Sequence, residues 1–486
     1  MKHTQFNERN ISMVMDMYEL TMSNGYLNKE FQDIIAVFDV FYRSNPDQAG
    51  FAVFAGLEQV VEYVQNLHFS QEDIDYLRSK NLFTEEFLDY LLHFKFRGDI
   101  YAMPEGTIMY PNEPIMTVAA PLIDAQLIET ALLLEINHQS LIATKTNRIV
   151  RAAGGKPVSD FGARRAHNVD AAVYGARAAY IGGASSTATV LAGKIFGIPI
   201  SGTMAHSWVM SFDSEYEAFK AYAESYPDAT VLLVDTYDVL KSGVPNAIRI
   251  ANEILIPMGK RLKGIRLDSG DLAYLSKEAR KLLDEAHLTD CMIVASNSLD
   301  EYTIESLNRQ GAMLDSYGVG EKLITSSTTP VFGAVYKLVA INKNGTFVPK
   351  IKISETVEKI TNPGIKEIYR VYDREGKAVA DYLAVKGEVI DAEKPVRYVD
   401  PVNYWKNRCF VDCTFKPLQK QIFKDGELVY ELPSLEEIKS YVRNQLTHEI
   451  WEEEQRFENS HSHYMDMSPA MFELKMGLLH ESNRQE

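Results

Sequence analysis

Cysteine is scarce in this sequence, because its 486 residues include only three, Cys291, Cys409 and Cys413. Three thiols are too few for the disulfide framework of a small secreted domain, and this scarcity is typical of a protein in a reducing cytosol. Cys409 and Cys413 stand close together, but no further cysteine follows them, so zinc binding there is a weak hypothesis. We therefore expect a cytoplasmic protein without disulfide bonds.

The sequence also lacks a long apolar run. No stretch approaches the ~18 consecutive apolar residues of a membrane span. The first residues, MKHTQFNERNISMVMDMY, contain no apolar segment followed by a small-residue cleavage site. We expect neither a membrane partner nor a secretion signal.

Positive charge is in deficit. Lysine and arginine number 50 against 67 aspartates and glutamates, which gives a formal net charge of −17. Such a balance repels polyanions unless basic residues cluster locally. Nucleic acid is therefore not an expected partner.

Length and composition predict a multi-domain globular chain. Hydrophobic residues make up 46% and charged residues 24% of the sequence, which is ordinary for folded proteins. Changes in pattern along the chain predict an N-terminal α/β domain over 1–135, a β/α barrel over 136–335 and a smaller C-terminal domain over 336–486.

Local patterns predict several elements outside the middle region. AVFDVFYR (36–43) favours a strand, the periodicity of 56–67 favours a helix, and 122–153 favours a pair of helices. Near the C-terminus, Ser434 and Glu437 have the spacing of a capping box.

The middle region contains seven short apolar or β-rich runs, each followed by polar or glycine-rich residues and then a helical stretch. This succession predicts βα units and a parallel sheet. Because every run ends in polar residues, a closed barrel with one mouth fits better than a doubly wound sheet. The runs begin at Lys156, Ala178, Ile198, Thr230, Lys263, Cys291 and Met313.

The strand ends together suit an anionic, phosphorylated ligand. Arginines pair with phosphate oxygens, glycine and serine loops present backbone N–H groups, and aspartates can hold Mg²⁺. The candidates are Asp160, Arg164, Arg165, Ser185, Ser186, His206, Asp235, Asp238, Arg266, Asp268, Asp271, Ser296, Asn297, Gly318 and Gly320.

Each candidate also has a purely structural interpretation. A glycine-rich turn can serve only to allow positive φ, and a histidine after a strand is commonly a structural hydrogen-bonding residue. DSGD (268–271) can cap the helix that follows it. No GxxxxGK[ST] loop occurs, and GVGEKL from Gly318 lacks the third glycine of GxGxxG. The grouping of all candidates at one end of a sheet is what favours a ligand site.

Taken in order, eight segments of the chain resemble the nicotinate phosphoribosyltransferase family. They are MDMYELTMSNGY (15–26), FDVFYRSNP (38–46), DFGARRAH (160–167), GTMAHSW (202–208), DTYD (235–238), IRLDSGDL (265–272), SYGVGEKLIT (316–325) and NPGIKEIYR (362–370). The resemblance implies an α/β fold with an irregular TIM-like β/α barrel, an N-terminal α/β domain and a C-terminal domain. It also implies a head-to-tail homodimer with shared active sites.

The resemblance implies a reaction. Phosphoribosyl would pass from 5-phosphoribosyl 1-pyrophosphate to nicotinate, giving nicotinate mononucleotide and pyrophosphate in NAD biosynthesis. ATP would be a co-substrate whose hydrolysis drives the transfer, and Mg²⁺ would be the cofactor.

The resemblance also assigns roles by position. His206 would be transiently phosphorylated by ATP, with Asp235 orienting its imidazole. Arg266 and Asp268 would hold the ribosyl donor, with Asp268 or Asp271 near Mg²⁺. The other binding residues would be Ser296, Asn297, Gly318 and Gly320 for the 5′-phosphate, Phe161 and Tyr18 of the partner subunit for the pyridine ring, Arg164 and Arg165 for the nicotinate carboxylate or pyrophosphate, and Arg43 and Lys337 for pyrophosphate or ATP phosphates.

Substrate choice is expected at Ser185. In the related nicotinamide phosphoribosyltransferase an aspartate on the matching loop accepts hydrogen bonds from the amide, whereas a serine hydroxyl can donate to the carboxylate of nicotinate. A slip of one residue in the alignment would make Ser186 or Ala184 the counterpart.

Other functions stay open at this point. Nicotinamide or quinolinate phosphoribosyl transfer would use the same fold, although the length of this chain argues against the quinolinate enzymes. A non-catalytic, nucleotide-sensing relative is a further alternative, and the intact set of His206, Arg266 and Asp268 argues against it.

Overall fold

The computed structural model describes residues 9–354, 359–405 and 407–482. The chain divides into two compact units, one formed by Met1–Leu141 with Val331–Glu486 and the other by Ile142–Pro330. Both α-helices and β-sheets are present, so the fold is mixed α/β as predicted. The division into three domains stays a prediction. No helix among the described residues has the length and apolar content that crossing a membrane requires.

The N-terminal segment contributes helices and antiparallel strands to the first unit. The strand expected at 36–43, the helix expected at 56–67 and the pair of helices expected at 122–153 are confirmed. The helices are α1 (Met17–Leu27), α2 (Leu57–Asn66), α3 (Gln71–Ser79), α4 (Glu85–Leu92), α5 (Leu122–Gln126) and α6 (Glu129–Ala152), and the strands are β1 (Ile35–Phe41), β2 (Ala52–Val53), β3 (Asp99–Ala102), β4 (Ile108–Met109) and β5 (Met116–Pro121).

The second unit alternates short strands with helices. Its strands are β6 (Val158–Asp160), β7 (Ser186–Thr187), β8 (Val231–Leu233), β9 (Gly264–Leu267), β10 (Met292–Ala295) and β11 (Ser316–Val319). Its helices are α7 (Val169–Ile181), α8 (Val190–Phe196), α9 (His206–Met210), α10 (Glu215–Ser225), α11 (Val244–Ile250), α12 (Leu272–Glu285), α13 (Glu301–Arg309) and α14 (Glu321–Ile324).

These six strands form one sheet in the order β7-β6-β11-β10-β9-β8, and every neighbouring pair is parallel. An isolated parallel bridge between Thr187 and Ile200 extends the pairing beyond β7. The carboxyl ends of all these strands therefore lie on one edge, which is where the sequence analysis placed the polar candidates.

Two of the seven predicted runs differ from expectation. Residues 178–181 of the run AAYIGGAS belong to α7, and the strand begins only at Ser186. Helix α7 is alanine-rich and is capped by Asn168, whose side chain accepts the N–H of Ala171 at 2.8 Å. Alanine is the strongest helix former, so local propensity prevails over the apolar pattern there. The run at Ile198 contributes a single bridge instead of a strand.

The C-terminal segment completes the first unit. Its strands are β12 (Val335–Lys343), β13 (Thr346–Pro349), β14 (Lys366–Tyr372), β15 (Ala378–Val385), β16 (Val396–Val399), β17 (Asn407–Phe410), β18 (Thr414–Pro417), β19 (Lys420–Lys424), β20 (Glu427–Leu428) and β21 (Met465–Met467). Its helices are α15 (Leu435–Asn444) and α16 (Pro469–Ser482). The capping box predicted at Ser434 and Glu437 is present at the start of α15.

Strands distant in sequence share one sheet in this unit. The seven-stranded order is β13-β12-β1-β5-β3-β19-β20, and a six-stranded sheet has the order β17-β16-β21-β15-β14-β18. Across the β1–β12 pair the rings of Phe38 and Tyr336 stack with centroids 4.6 Å apart. Burial of both rings between β1 and β12 is part of the reason that the two ends of the chain fold together.

Candidate active site

Two carboxylates are fixed at the carboxyl ends of β8 and β9. Asp235 follows β8 and Asp268 follows β9, and these strands are neighbours. The backbone N–H of Asp268 donates to Asp235 Oδ2 at 3.0 Å, and the Ser269 hydroxyl donates to the same oxygen at 2.6 Å. The hydroxyl of Ser296, which follows β10, donates to Asp268 Oδ1. The three strand ends thus hold both carboxylates in place.

His206 is the first residue of α9 and lies beside both carboxylates. Its Nε2 is 3.9 Å from Asp235 Oδ1 and 3.8 Å from Asp268 Oδ2, and its side chain is 40% exposed. These distances are longer than a hydrogen bond. The Nδ1 atom lies 3.1 Å from the Thr236 hydroxyl oxygen. The hydrogen bond expected from Asp235 is therefore absent, and Thr236, which the sequence analysis did not single out, contacts the imidazole instead.

Arg266 supplies a partly buried positive charge on β9. Its Nη2 donates to the carbonyl of Met204 at 3.0 Å, while its Nε is buried without a hydrogen-bond partner. Burial lowers the pKa of Arg266, and the negative charges of Asp268 and Asp235 oppose that effect. Asp235 Oδ1 is likewise buried without a hydrogen-bond partner. A buried donor and a buried acceptor are thus both available in the same cluster.

Phe161 and two glycines form an adjoining part of the second unit. A Cβ atom on Gly318 would lie 2.4 Å from two ring carbons of Phe161, which is too close for any side chain. A Cβ on Gly320 would lie 3.1 Å from the Phe161 carbonyl oxygen. The backbone N–H of Phe161 donates to Val319 O at 2.8 Å. Gly318 therefore makes room for the aromatic ring, a role that is separate from the predicted phosphate contact.

Arg164 and Arg165 follow Phe161 in an exposed turn. Arg164 is near enough to Arg266 to contribute, after burial, to the lowering of the Arg266 pKa. Arg165 Nε is 3.6 Å from Glu321 Oε2, and its side chain is 60% exposed. Asp160 is fully buried, accepting the N–H of Gly162 and the hydroxyl of Thr187 at 2.8 Å each, so it supports the turn.

Ser185 faces the backbone of β6. Its N–H and its hydroxyl both donate to the Val158 carbonyl, at 2.8 and 2.9 Å. Ser186 lies in a chain of hydroxyls, with its Oγ 2.8 Å from Ser159 Oγ and 2.7 Å from Ser201 Oγ. The Ser185 proton is thus directed to the protein, and the assignment of substrate choice to Ser185 stays a prediction.

The aspartates further along these loops act as caps. Asp271 Oδ1 accepts the N–H of Tyr274 at 3.0 Å and begins α12, so the capping interpretation of DSGD is confirmed. Asp238 Oδ1 accepts the N–H groups of Leu240 and Lys241 at 3.1 and 2.8 Å.

The loop after β10 has unusual backbone geometry. Asn297 has φ of 85° and Ser298 has φ of 51°, so two consecutive residues with side chains are in the left-handed region. Such strain is concentrated at functional sites.

Three further predicted binding residues, Tyr18, Arg43 and Lys337, lie in the first unit. Burial lowers the pKa of Lys337, Glu129 opposes this, and the positive charges of Lys352 and Arg43 add to the lowering. Burial and then Glu129 raise the pKa of Tyr18. Arg43 Nε is buried without a hydrogen-bond partner. Tyr18 and Lys337 therefore both lie near Glu129, a residue that the sequence analysis missed, and Arg43 lies near Lys337.

Comparison with known proteins identifies the family. The chain matches the model of the nicotinate phosphoribosyltransferase (NAPRTase) N-terminal domain at residues 13–137, the NAPRTase family at 157–382 and the C-terminal domain at 365–475. It is 46% identical over 479 residues to the nicotinate phosphoribosyltransferase of Bacillus subtilis (strain 168), covering 98% of this chain and 96% of the relative. The chain belongs to the nicotinate phosphoribosyltransferase family. It is accordingly an enzyme.

Proteins of lower sequence identity are also similar over most of the chain. The relative from Homo sapiens is 30% identical over an alignment of 499 residues that covers 90% of this chain and 90% of the relative. The crystal structure of human nicotinic acid phosphoribosyltransferase superposes with a TM-score of 0.85 at 28% identity, covering 96% of this chain and 99% of the other. A nicotinate-nucleotide pyrophosphorylase from Pyrococcus furiosus gives 0.69 at 26% identity, covering 92% and 97%.

Proposed function

We propose that this enzyme transfers phosphoribosyl from 5-phosphoribosyl 1-pyrophosphate to nicotinate, forming nicotinate mononucleotide and pyrophosphate for NAD biosynthesis, and couples the transfer to ATP hydrolysis. The observation that carries the proposal is the convergence of His206, Asp235, Arg266, Asp268 and Ser296 at neighbouring strand ends. An imidazole, an incompletely paired guanidinium and two carboxylates are suited to phosphate chemistry.

His206 is the proposed acceptor of the ATP γ-phosphate. The mechanism places the imidazole proton on Nδ1, which lies 3.1 Å from Thr236 Oγ1. That tautomer leaves the Nε2 lone pair free to attack phosphorus. The new bond joins Nε2 to phosphorus, and ADP leaves with the electron pair of the broken P–O bond. Water then hydrolyses the phosphoimidazole. Asp235 and Asp268, beside Nε2, stabilise the positive charge that the ring acquires.

The ribosyl donor is assigned to the neighbouring strand ends. The unpartnered Nε of Arg266 is available to an oxygen of the donor. Ser296, Asn297, Gly318 and Gly320 are the proposed contacts of its 5′-phosphate. The left-handed backbone at Asn297 supports a binding role for that loop.

The same residues fit a Mg²⁺ ion. Carboxylate oxygens are the ligands that Mg²⁺ prefers, and Asp235 Oδ1 is buried without a hydrogen-bond partner beside Asp268. Asp235 and Asp268 would hold the ion, which when bound neutralises phosphate charge. Asp271 is the alternative ligand, although one of its oxygens caps α12.

Nicotinate is assigned to Phe161 and the two arginines that follow it. Phe161 would stack on the pyridine ring from one face, and Tyr18 of the partner subunit from the other. Arg164 and Arg165 are the proposed donors to the nicotinate carboxylate or to pyrophosphate, since their exposed side chains keep most donors available. Arg43 and Lys337 are proposed contacts of pyrophosphate or ATP phosphates.

The proposal extends to the barrel, the oligomeric state and the location of the enzyme. The parallel sheet of the second unit would curve into the irregular β/α barrel, and two copies of the chain would form a homodimer with shared sites. A cytoplasmic location is proposed because Cys291, Cys409 and Cys413 are all free thiols.

The experiment that tests the proposal is a component-omission assay with His206→Ala. We expect the wild-type enzyme to form nicotinate mononucleotide from nicotinate, the ribosyl donor, Mg²⁺ and ATP. His206→Ala should lose ATP hydrolysis and the acid-labile phosphoenzyme, while mononucleotide synthesis at high donor concentration survives in part. His93→Ala, an exposed histidine of the first unit, is the matched control. An acid-labile phosphoprotein formed by His206→Ala would show that the assignment is wrong.

A further inference from the structure

Helix α1 carries Tyr18 on its outer side and a buried glutamate on its inner side. Tyr18 is 42% exposed, whereas the next residue, Glu19, is completely buried. The other buried residues of α1 are Leu20, Ser23 and Leu27. The position of the Tyr18 ring therefore depends on what holds the inner side of this helix.

Glu19 joins the first turn of α1 to the first turn of α6. Its Oε1 accepts the backbone N–H of Thr130 at 3.1 Å and also accepts the Thr130 hydroxyl proton. The hydroxyl oxygen of Thr130 in turn accepts the backbone N–H of Asp16, the N-cap residue of α1, at 3.3 Å. The side chain of Asp16 makes no capping hydrogen bond. The contact between Glu19 and Thr130 therefore fixes the start of the helix that carries Tyr18.

Consecutive residues of the two helices face each other at this point. Glu129, which precedes Thr130, lies near enough to Tyr18 that its charge, after burial, raises the pKa of the phenol. Gln126 Nε2 donates to Glu129 Oε2 at 2.8 Å and orients that carboxylate. A shift of the first turn of α1 along α6 would therefore move Glu19 and Tyr18 together.

The other end of α1 is held by a separate contact. Asn24 Oδ1 accepts the N–H and the hydroxyl of Thr84, at 3.2 and 3.0 Å, and Thr84 is the N-cap residue of α4. If the contact of Glu19 with Thr130 is lost, the helix keeps this attachment while its first turn becomes free to move.

We propose that Glu19 is a positioning residue for nicotinate, because its contact with Thr130 fixes the turn from which Tyr18 reaches the pyridine ring in the site of the partner subunit. The role of Glu19 thus rests on the proposed function, in which Tyr18 stacks on nicotinate. Glu19 is completely buried and acts only through Tyr18. Its loss should weaken the binding of nicotinate more than the binding of the ribosyl donor.

A double-mutant cycle with Tyr18→Ala, measured by steady-state kinetics near pH 6, tests the proposal. Glu19→Ala removes the acceptor of Thr130, and we expect the KM for nicotinate to rise up to about tenfold, as for a lost aromatic contact. In the Tyr18→Ala background, Glu19→Ala should raise this KM no further, because residues that act through one contact are not additive. Glu86→Ala, in the exposed first turn of α4, is the matched control and should leave the KM unchanged.

The cycle separates the role of Glu19 from the proposed function. An unchanged KM for Tyr18→Ala alone would contradict the stacking of Tyr18, and with it the basis of the proposal. A raised KM for Tyr18→Ala, combined with no effect of Glu19→Ala or with fully additive effects, would overturn the positioning role of Glu19 and leave the stacking of Tyr18 intact.

Glu19→Gln provides a second measurement that does not depend on the folding of Glu19→Ala. The amide retains an acceptor for Thr130 but cannot ionise. The titratable groups near Glu19 are Asp16, Tyr18, Tyr63, Glu129 and Tyr336. Burial is the main cause that raises the pKa of Glu19 to about 7, so at about pH 8 the wild type carries a buried charge close to Glu129.

The ionised form should hold α1 less well. From about pH 6 to about pH 8, the KM of the wild type for nicotinate should therefore rise by up to about tenfold more than that of Glu19→Gln, since the fraction with protonated Glu19 falls by about that factor. At about pH 6 the two proteins should have equal KM values. Parallel pH profiles of the wild type and Glu19→Gln would overturn the proposal.

Discussion

At the scale of single residues, the candidate site of the second unit is centred on the imidazole of His206, whose two nitrogens have different neighbours. His206 Nδ1 contacts a neutral hydroxyl, whereas Nε2 faces two carboxylates at 3.8–3.9 Å. The contact with Thr236 fixes the orientation of the ring, so that Nε2 faces the two carboxylates. In the proposed phosphate transfer these carboxylates would favour the cationic product, because charge develops next to them.

A prediction at this scale concerns Gly318. Gly318→Ala places a methyl group 2.4 Å from the Phe161 ring, so the ring must move. If Phe161 stacks on the pyridine, the KM for nicotinate should rise about tenfold, the usual worth of an aromatic contact, while the KM for the ribosyl donor changes less. Gly477→Ala, where a Cβ meets nothing within 4 Å, is the control. Steady-state kinetics decide, and an equal rise in both KM values would contradict the stacking role of Phe161.

Substrate choice gives a second residue-scale prediction. Because Ser185 donates to the Val158 carbonyl, Ser185→Asp would bring a carboxylate against that carbonyl oxygen. We expect a lower melting temperature and a similar fall in kcat/KM for nicotinate and for nicotinamide. The ratio of the two kcat/KM values is the informative measurement. A ratio that moves toward nicotinamide would show that Ser185 does face the carboxylate of nicotinate.

At the scale of elements, loop positions are fixed by side chains that accept backbone N–H groups. Asp271 caps α12, Asp238 caps the turn that leads into α11, and Asp160 holds the turn after β6. Such contacts satisfy backbone N–H groups and help to fix the loops at the strand ends. These three aspartates therefore position the backbone, whereas Asp235 both accepts a backbone N–H and faces His206.

Helix α1 is joined to α6 by a buried glutamate, which gives a pH prediction. Glu19 Oε1 accepts both the N–H (3.1 Å) and the hydroxyl of Thr130, while Oε2 is buried without a hydrogen-bond partner. Burial is the main cause that raises the pKa of Glu19 from 4.5 to about 7. The protonated form is thus favoured in the folded state, so this stabilisation is complete below the unfolded pKa and is lost as pH rises through about 7.

Glu19→Gln should remove that pH dependence. Between about pH 5 and about pH 8, we expect the free energy of unfolding of the wild type to fall by about 2 kcal/mol more than that of Glu19→Gln, with allowance for partial solvation. The amide retains an acceptor for Thr130, so both proteins should unfold alike near pH 5. Chemical denaturation across this pH range provides the measurement. Parallel pH profiles would show that Glu19 does not titrate there.

At the scale of the whole molecule, the two compact units differ in how the chain forms them. The second unit is continuous, and its parallel sheet comes from successive βα units. The first unit joins both ends of the chain through one sheet, in which β12 pairs with β1 and β19 pairs with β3. Truncation at either end would therefore remove neighbours from the same sheet.

The proposed homodimer with shared sites predicts complementation between two inactive proteins. Tyr18→Ala and Asp268→Ala should each lower activity, and a mixture that exchanges subunits should recover part of it. Recovery is expected because one of the two sites in a mixed dimer would contain neither substitution. Activity after co-refolding, with subunit exchange measured independently, provides the test. No recovery despite proven exchange would indicate that each site is formed within one chain.

The sequence by itself determined the family, the mixed α/β class and most strand ends, because these depend on local patterns of polarity and on ordered motifs. His206, Arg266 and Asp268 could be singled out in this way, since each follows or lies within a recognisable run. Helix propensity at 178–181 is also local, but the apolar pattern of this run favoured a strand. The strand prediction there is wrong, because these residues belong to α7.

Only the tertiary structure decided which atoms meet. The contact of His206 with Thr236, the hydrogen bond of Ser185 to Val158 and the space that Gly318 leaves for Phe161 depend on side-chain directions across neighbouring strands. Polarity and spacing do not encode such distances, because packing of the whole unit sets them.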